Sequence, residues 1–405
     1  MRPATAITAS WWLAAGLVSS ALASRQNGME QALGEGRPVD SVSEVHQVVM
    51  TVHQANISTS QRHHDEKARL LESLSRKNGK WTPSHPRHRL LDALHGFLKY
   101  KDGQGAEVKR LRDLYSRVSK SQKALLDHHL GYSSKFDEVE LKLARNQALC
   151  DSIVDSALDF YEVPYSELTA HVREKEAAGR AADRISVSQA LKHIVRDWTT
   201  EGEHERNSTF DCVLGFEVTI NEWSMYMNVV YRFLEEEGKA LEHSFYPFVE
   251  GWSHHATDAD MHRKLSFPDV DLDPKAVLMT EGDFTTAFTK QNGHYDVVIT
   301  YFFIDTARNL LSYFDNIENV LKPGGYWINL GPLLYGTAPF VQLSLEDIIK
   351  ITGAMGFDYQ DTDERCGVPT LEGAKVRGME AIYGFDKKAL TKNAYNAQFW
   401  VAKKQ

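Results

Sequence analysis

Four apolar runs in the second half of the chain constrain its fold more than any other feature of the sequence. They are FEVTINE, KAVLMTEGDF, YDVVITYFFID and GYWINLGPLL. Each run is typical of a buried β-strand, and most are followed by a helix-like segment. Because strands that alternate with crossover helices form mostly parallel sheets, the sequence predicts an α/β domain over residues 185–405.

Acidic and aromatic residues stand where these predicted strands end. The first run ends in Glu222, the second in Asp283 and Phe284, and the third in YFFID, from Tyr301 to Asp305. In open α/β sheets, ligands bind at the carboxyl ends of the strands. A carboxylate there can accept hydrogen bonds from a ribose, and an acid beside an aromatic ring suits an adenine. Each acid alone is more often a helix cap or a loop carboxylate, but together, in this order, they favour a cofactor site.

The first half of the chain has a helical pattern. Apolar residues recur at spacings of three and four from residue 41 to residue 184, with polar breaks at WTPSHP and KDGQG. A flexible lead-in is predicted over residues 25–40. The segment ISVSQALKHIVRDW predicts an amphipathic helix that opens the α/β domain. Near the other end, FDYQDTD and AQFWVAKK predict a pair of antiparallel strands at the edge of the sheet.

Residues 1–24 have the pattern of a secretory signal or anchor. One charge precedes the apolar run WWLAAGLVSSALA and an Ala-x-Ala pattern, and the run is too short for a stable membrane span. Sequons at Asn56 and Asn207 also suit secretion. The alternative is that translation starts at Met29. The secretory pathway and the cytoplasm are therefore both open as locations.

Composition and charge exclude several classes of protein. A net charge of -9, with dispersed basic residues, argues against a nucleic-acid partner. The three cysteines are far apart in sequence and indicate neither a disulfide framework nor a CxxC metal site. A His-rich segment carries residues of metal-ligand type, but it has no HExxH pattern, and no metal is predicted. Those residues are His254, His255, Asp258, Asp260 and His262.

Several longer motifs resemble one known family. They are IVRDW, NEWSMYM, FYPFVEGWSHH, SFPDV, EGDF, FFIDTARN and LKPGGYWINLGPLLY. From about residue 140 to the carboxyl terminus they are similar to the carnosine N-methyltransferase family, with its N2227-type domain. The resemblance implies a helical region followed by a Rossmann-like class I methyltransferase fold, frequently dimeric and cytoplasmic. It also implies S-adenosylmethionine as cofactor and a small dipeptide as partner, with carnosine methylated on its imidazole to give anserine.

The resemblance assigns residues to the cofactor. Glu222 would hold its ribose, Asp283 and Phe284 its adenine, and Arg196 would contact it from the preceding helix. His193 stands where the family tends to have a glutamine. The implied cofactor-binding residues are His193, Arg196, Glu222, Asp283, Phe284 and Tyr301.

The resemblance also assigns residues to the substrate. Asp305 would bind the imidazole ring and is the candidate catalytic residue, because a carboxylate can accept the ring N–H, select the tautomer and stabilise the methylated cation. Tyr395 would line the same pocket. Tyr335 is a further candidate, for which buried packing is an equal alternative. Gly336 stands where animal relatives have a substrate-binding histidine.

One expected part of the fold is missing from the sequence. The family has a strand and a glycine-rich turn before GFEVTINE, but here HERNSTFDCVL runs directly into it. A strand, turn and crossover helix need about 30 residues. The sheet is therefore predicted to lack its first strand and turn, unless residues 210–214 or another segment fills the gap. The alternative function is an inactive methyltransferase-like scaffold or a truncated gene product.

Overall fold

The computed structural model describes residues 5–8, 61–203, 217–271, 277–336, 338–384 and 386–405. The first half of the chain is helical over its described part, as predicted. Its helices are α1 (Gln61–Leu74), α2 (Pro86–Leu98), α3 (Tyr100–Ser116), α4 (Lys120–Leu130), α5 (Tyr132–Phe160), α6 (Tyr165–Ala177) and α7 (Arg184–Trp198). The lead-in and the predicted helix VSEVHQVVMTVHQ lie outside the described residues.

The predicted break at KDGQG is wrong, because that segment lies inside α3. Only Lys99 separates α2 from α3. A Cβ on Gly103 would lie 3.2 Å from the Cβ of Arg184, so glycine here allows α7 to pack closely. Gln104 strengthens the contact, since its side-chain amide donates to Ser188 Oγ at 2.8 Å. Tertiary packing therefore outweighs the low helix propensity of glycine.

The second half of the chain forms an α/β domain. Its helices are α8 (Met225–Glu237), α9 (Asp258–Met261), α10 (Phe284–Ala287), α11 (Leu310–Val320) and α12 (Leu345–Ala354). The strands among the described residues are β1 (Thr5–Thr8), β2 (Glu217–Glu222), β3 (His243–Phe245), β4 (Leu265–Phe267), β5 (Val277–Glu281), β6 (Tyr295–Tyr301), β7 (Leu321–Gly331), β8 (Phe357–Tyr359), β9 (Val368–Pro369), β10 (Arg377–Ile382) and β11 (Ala394–Lys404).

The main sheet has the order β5-β2-β1-β6-β7-β11-β10-β9. The pairs from β5 to β7 are parallel, and β11 runs antiparallel to β7. The predicted pairing of the two late strands is confirmed, because β8 is antiparallel to β11. β10 was not predicted, and it places β11 inside the sheet rather than at an edge. The carboxyl ends of β2, β5 and β6 therefore share one edge.

The amino-terminal segment contributes a strand to the centre of this sheet. Thr5–Thr8 lies between β2 and β6 and is parallel to both. This is the gap that the sequence left open, and it is filled by another segment of the chain. The alternative filler, residues 210–214, lies outside the described residues, as does the remainder of residues 1–24. Among the described residues, no helix is long and apolar enough to cross a membrane.

The helical half and the sheet share one hydrophobic core. It joins Leu90 and Phe97 of α2 to Val229 of α8 and Ile220 of β2. A second core covers the region of β7 and β11, where the rings of Trp327 and Trp400 meet edge to face with centroids 5.3 Å apart. The helices of the first half therefore pack directly against the side of the sheet that carries β2 and β5.

A buried charged network ties β5 to this core. Arg232 of α8 donates to Glu281 at 2.8 Å and to Glu235 at 2.6 Å. Tyr161, at the end of α5, donates to the same Glu281 carboxylate at 2.9 Å. The Glu281 side chain is fully buried. The network therefore holds the end of β5, next to the candidate site, against both halves of the chain.

Replacing Glu281 by alanine should destabilise the protein by about 3 kcal/mol, because Arg232 would keep a buried charge with one partner fewer. Urea unfolding followed by circular dichroism measures the change. The matched control is Glu380→Ala, which removes an exposed ion pair with Lys392 and should change stability by less than about 0.5 kcal/mol. Equal effects of the two substitutions would contradict the structural role of the network.

Candidate active site

The carboxyl ends of β2 and β5 are locked together at one edge of the sheet. The Gly282 N–H donates to the Glu222 carbonyl oxygen at 3.0 Å, and the Asn221 side chain donates to the carbonyl oxygens of Thr280 and Gly282. Gly282 has φ of 141°, which side chains rarely adopt. This turn sets the positions of the two acids that follow the strands, Glu222 and Asp283.

Both acids also make local hydrogen bonds that shape their turns. Glu222 accepts from the N–H groups of Trp223 and Ser224, each at 2.7 Å, at the start of α8. Asp283 accepts from the Thr285 N–H at 2.8 Å and caps α10. Asp283 is therefore a helix cap, whereas Glu222 bonds only to the turn before α8, whose N-cap is Ser224. These local bonds do not remove either acid from the edge where a ligand would lie, because a carboxylate has several acceptor sites.

Phe284 lies deeper than its predicted role requires. Its side chain is buried, and its ring packs against Phe288, Phe303 and Tyr313. The half-buried Phe303 ring stacks on Tyr313 with centroids 4.8 Å apart. Burial raises the pKa of Tyr313, and the charges of Asp283 and Glu222 raise it further. Tyr313, with Phe303 stacked on it, is therefore an aromatic group close to the two acids.

The helical half adds a cation to this edge that the sequence analysis did not find. The Arg89 guanidinium, from α2, lies 3.5 Å from the centroid of the Trp223 ring and donates to the Trp223 carbonyl oxygen. Burial lowers the pKa of Arg89, and the nearby charges of Glu222 and Asp283 oppose that shift. Nothing near Arg89 in the sequence indicates a site, since its neighbours have the pattern of an ordinary amphipathic helix.

Arg196 is buried at the end of α7 and forms a two-point ion pair with its neighbour Asp197. Its Nε and Nη2 atoms lie 2.6 and 2.9 Å from the two carboxylate oxygens. Burial lowers the pKa of His193 well below its usual value, and the Arg196 charge lowers it further, so this imidazole is neutral. A Cβ on Gly202 would lie 2.1 Å from the Arg196 carbonyl oxygen, so only glycine fits there.

The end of β6 carries a strained residue inside an aromatic cluster. Phe302 has φ of 49°, and its N–H donates to the Leu330 carbonyl oxygen at 2.8 Å. Its ring stacks on Tyr383 and meets Tyr395 edge to face, with centroids 5.5 and 5.8 Å away. The neighbouring Tyr301 is buried. Strained backbone is concentrated at functional sites, which makes this strand end a candidate for ligand contact.

Asp305 follows in the short 3-10 helix Ile304–Thr306. It is only 7% exposed and accepts the Leu334 N–H at 3.1 Å. Burial raises its pKa to about 6, although the backbone hydrogen bonds act in the opposite direction. The Tyr335 hydroxyl donates to the Leu343 carbonyl oxygen at 2.7 Å, as the packing alternative expects. A buried carboxylate with a raised pKa is typical of functional sites.

Two sets of histidine and aspartate residues contain side chains of metal-ligand type. Within the described ranges, His88, Asp92 and His171 have metal-ligand spacing. The Lys175 ammonium lies 2.5 Å from the Asp92 carboxylate, so a cation already neutralises it. The His-rich segment does not converge: His255 lies 2.8 Å from the Gly251 carbonyl oxygen, Asp258 pairs with Lys135, and Asp260 forms a capping box with Thr257. Neither group is assigned a metal.

These features define a Rossmann-like class I methyltransferase domain. The parallel strands, the antiparallel β11 and the acids at the strand ends all belong to that fold. Residues 212–405 match the family model described as "Carnosine N-methyltransferase". This part of the chain is similar to that family, and the match covers just under half of the chain.

Curated relatives extend the similarity beyond the matched domain. A carnosine N-methyltransferase of Schizosaccharomyces pombe is 27% identical over 386 residues, covering 78% of this chain and 95% of that protein. The Mus musculus protein is 28% identical over 313 residues, covering 66% of this chain and 77% of that protein. In both cases the alignment has more positions than this 405-residue chain has residues in the covered part. The extra positions are gaps in this chain. The relatives therefore carry residues within the aligned span that this chain lacks.

Solved structures match more weakly. A Haemonchus contortus phosphoethanolamine N-methyltransferase 2 is 16% identical, covering 51% of this chain and 46% of that chain, with a TM-score of 0.27. A similarity of this size adds nothing to the assignment. The assignment rests on the family match and on the sheet order.

The raised pKa of Asp305 predicts how the stability of the protein depends on pH. The folded state holds the proton more tightly than the unfolded chain does, so this stabilisation is complete below about pH 4 and is lost as the pH rises through about 6. Asp305→Asn cannot ionise. It should therefore be more stable than the parent at pH 8, on the order of 2 kcal/mol, and equally stable at pH 4.

Thermal unfolding at both pH values tests this prediction. The exposed Asp315 provides the matched control, since Asp315→Asn should leave stability unchanged at both values. A shift of the same size at pH 4 and pH 8 for Asp305→Asn would show that ionisation is not its cause.

Proposed function

We propose that the chain is an S-adenosylmethionine-dependent N-methyltransferase that acts on the imidazole of carnosine or a related histidine-containing dipeptide, with anserine as the product from carnosine. The family match supports the reaction type. The single observation that carries the substrate class is the buried Asp305 carboxylate, three residues after Phe302, whose ring contacts Tyr383 and Tyr395. A strand end that offers both an acceptor and aromatic rings suits a flat heterocycle that has one N–H to donate.

The cofactor would be held at the edge formed by β2 and β5. Glu222 would accept hydrogen bonds from its ribose, and Asp283 would accept from the adenine amino group. The Arg89 charge lies close enough to both carboxylates to balance them. Arg196, with His193 and Tyr301, would face the methionine end. Two carboxylates at neighbouring strand ends support this assignment, because a nucleoside offers hydroxyl and amino donors to such acceptors.

S-adenosylmethionine supplies an electrophilic methyl group on a sulfonium. The protein needs only to orient the nucleophile and exclude water, since the leaving thioether needs no acid. Asp305 would accept the N–H of one ring nitrogen, which leaves the lone pair of the other nitrogen available for the methyl group. As the new N–C bond forms and the S–C bond to the leaving thioether breaks, the ring would become cationic, and the Asp305 carboxylate would stabilise it. The same carboxylate could then accept the N–H proton that the methylated ring releases.

Asp305→Asn should lower kcat by about 100-fold or more, because an amide can bind the ring but does not stabilise the cation. The dissociation constant of S-adenosylmethionine should change by less than about threefold, since the cofactor acceptors are other residues. Product mass spectrometry gives the turnover and isothermal titration calorimetry the affinity, with Asp315→Asn as the matched control. Equal losses in turnover and cofactor affinity would reject this role for Asp305.

A second candidate, a methyltransferase-like scaffold without cofactor binding, is favoured by one observation. Only residues 204–216 separate the 3-10 helix Thr200–Gly202 and Glu203 from β2. They are too few for the strand, glycine-rich turn and helix that normally cradle the methionine end of the cofactor.

Titration of the folded full chain with S-adenosylmethionine separates the two candidates. The enzyme requires saturable binding that Glu222→Ala weakens at least tenfold, since the ribose acceptor is lost. The exposed Glu236, on the far part of α8, supplies the control Glu236→Ala, which should leave binding unchanged. No binding by a chain with native circular dichroism would favour the scaffold.

A further inference from the structure

The centre of the main sheet contains a slot that is filled from the far end of the chain. Ala6, Ile7 and Thr8 pair with Val218, Thr219 and Ile220 of β2 on one side, and with Val297, Val298 and Ile299 of β6 on the other. β1 is thus the only link in the hydrogen-bonded path between β2 and β6 among the described strands. Without it, the sheet divides into β5-β2 and the part that begins at β6.

The slot lies in the interior of the protein. Its walls are formed by residues that are at most 3% exposed: Val218, Ile220, Val298 and Ile299. An empty slot would leave backbone N–H and C=O groups of two buried strands without partners, at about 1–3 kcal/mol for each group. A sheet that kept its folded form therefore requires a strand in this position.

The local sequence cannot supply that strand in the usual way. A parallel neighbour of β2 that comes just before it needs a crossover of a dozen residues or more, in addition to the strand itself. The segment 204–216 is too short for both. The relatives carry additional residues within the aligned span, as the lengths of their alignments show. In this chain, a distant segment occupies the central position instead.

We propose that the amino-terminal segment is a donor strand, and that Thr5–Thr8 completes the central sheet in place of the strand that the fold normally places before β2. The segment is short, but three of its four residues are the β-branched types that favour strands. The same residues lie inside the signal-like leader. Removal of residues 1–24 by a processing enzyme would therefore open the slot, so the leader has to be retained for the sheet to close.

Hydrogen exchange on the full chain tests the proposal. Proline cannot donate to a ladder and is excluded from central strands. Ile7→Pro should increase the exchange rates of backbone amides in residues 217–222 and 295–301 at least tenfold, whereas Ile7→Val should leave them unchanged. Unchanged protection in Ile7→Pro would overturn the proposal, because something other than Thr5–Thr8 would then fill the slot.

A disulfide tests the register without depending on the stability of the proline variant. Ile7 lies opposite Thr219, and neighbouring strands are about 4.8 Å apart, within the range that a disulfide spans. In a Cys212→Ser background, oxidised Ile7→Cys/Thr219→Cys should give an intramolecular linked peptide by mass spectrometry. The control Ile7→Cys/Glu217→Cys is two residues out of register, about 8 Å apart, and should not link.

Each outcome of the disulfide experiment decides the proposal. Linking of the first pair in the monomer supports it. No linking, equal linking of both pairs, or linking only between two copies of the chain would overturn it. Neither experiment measures S-adenosylmethionine binding or methyl transfer. The donor-strand proposal can therefore hold for a chain without activity, and it can fail for a chain that is an active enzyme.

Discussion

The structure depends on continuous hydrogen bonding through the middle of one parallel sheet. Parallel strands align their carboxyl ends, so the pairing of β5, β2, β1 and β6 brings Glu222, Asp283 and Asp305 to one edge. If β1 no longer linked β2 to β6, Glu222 and Asp283 would lose their fixed position relative to Asp305. The four residues Thr5–Thr8 therefore help to fix the relative positions of the acids at the candidate site.

Buried charge is used in two different ways around this edge. Glu281 is paired with Arg232 and Tyr161, and it fixes β5 to the core. Asp305 accepts backbone N–H groups and forms no ion pair with another described residue, and its burial raises its pKa. The first arrangement is structural, because its charges offset each other. The second has an unfavourable charge at neutral pH, which is consistent with a group retained for binding a cationic or N–H-bearing ring.

The sequence predicted those parts of the fold that leave a local pattern. Glu222 and Asp305 were found because strand periodicity ends at recognisable positions, and α7 because its apolar residues recur at helical spacing. The interior of α3 was missed because close packing of Arg184 against Gly103 stabilises a glycine-bearing helix. Arg89 reaches the site through tertiary packing of α2, and the role of Thr5–Thr8 depends on pairing across 200 residues of chain, so neither leaves a local signal.

The most direct test of this account is to incubate the full chain with S-adenosylmethionine and carnosine and to examine the dipeptide by mass spectrometry and NMR. The account predicts a product heavier by one methylene, about 14 Da, with the new methyl group on an imidazole nitrogen, as a neutral ring nucleophile requires. Absence of a methylated product from a folded chain that binds S-adenosylmethionine, or a methyl group on any other atom of the dipeptide, would contradict it.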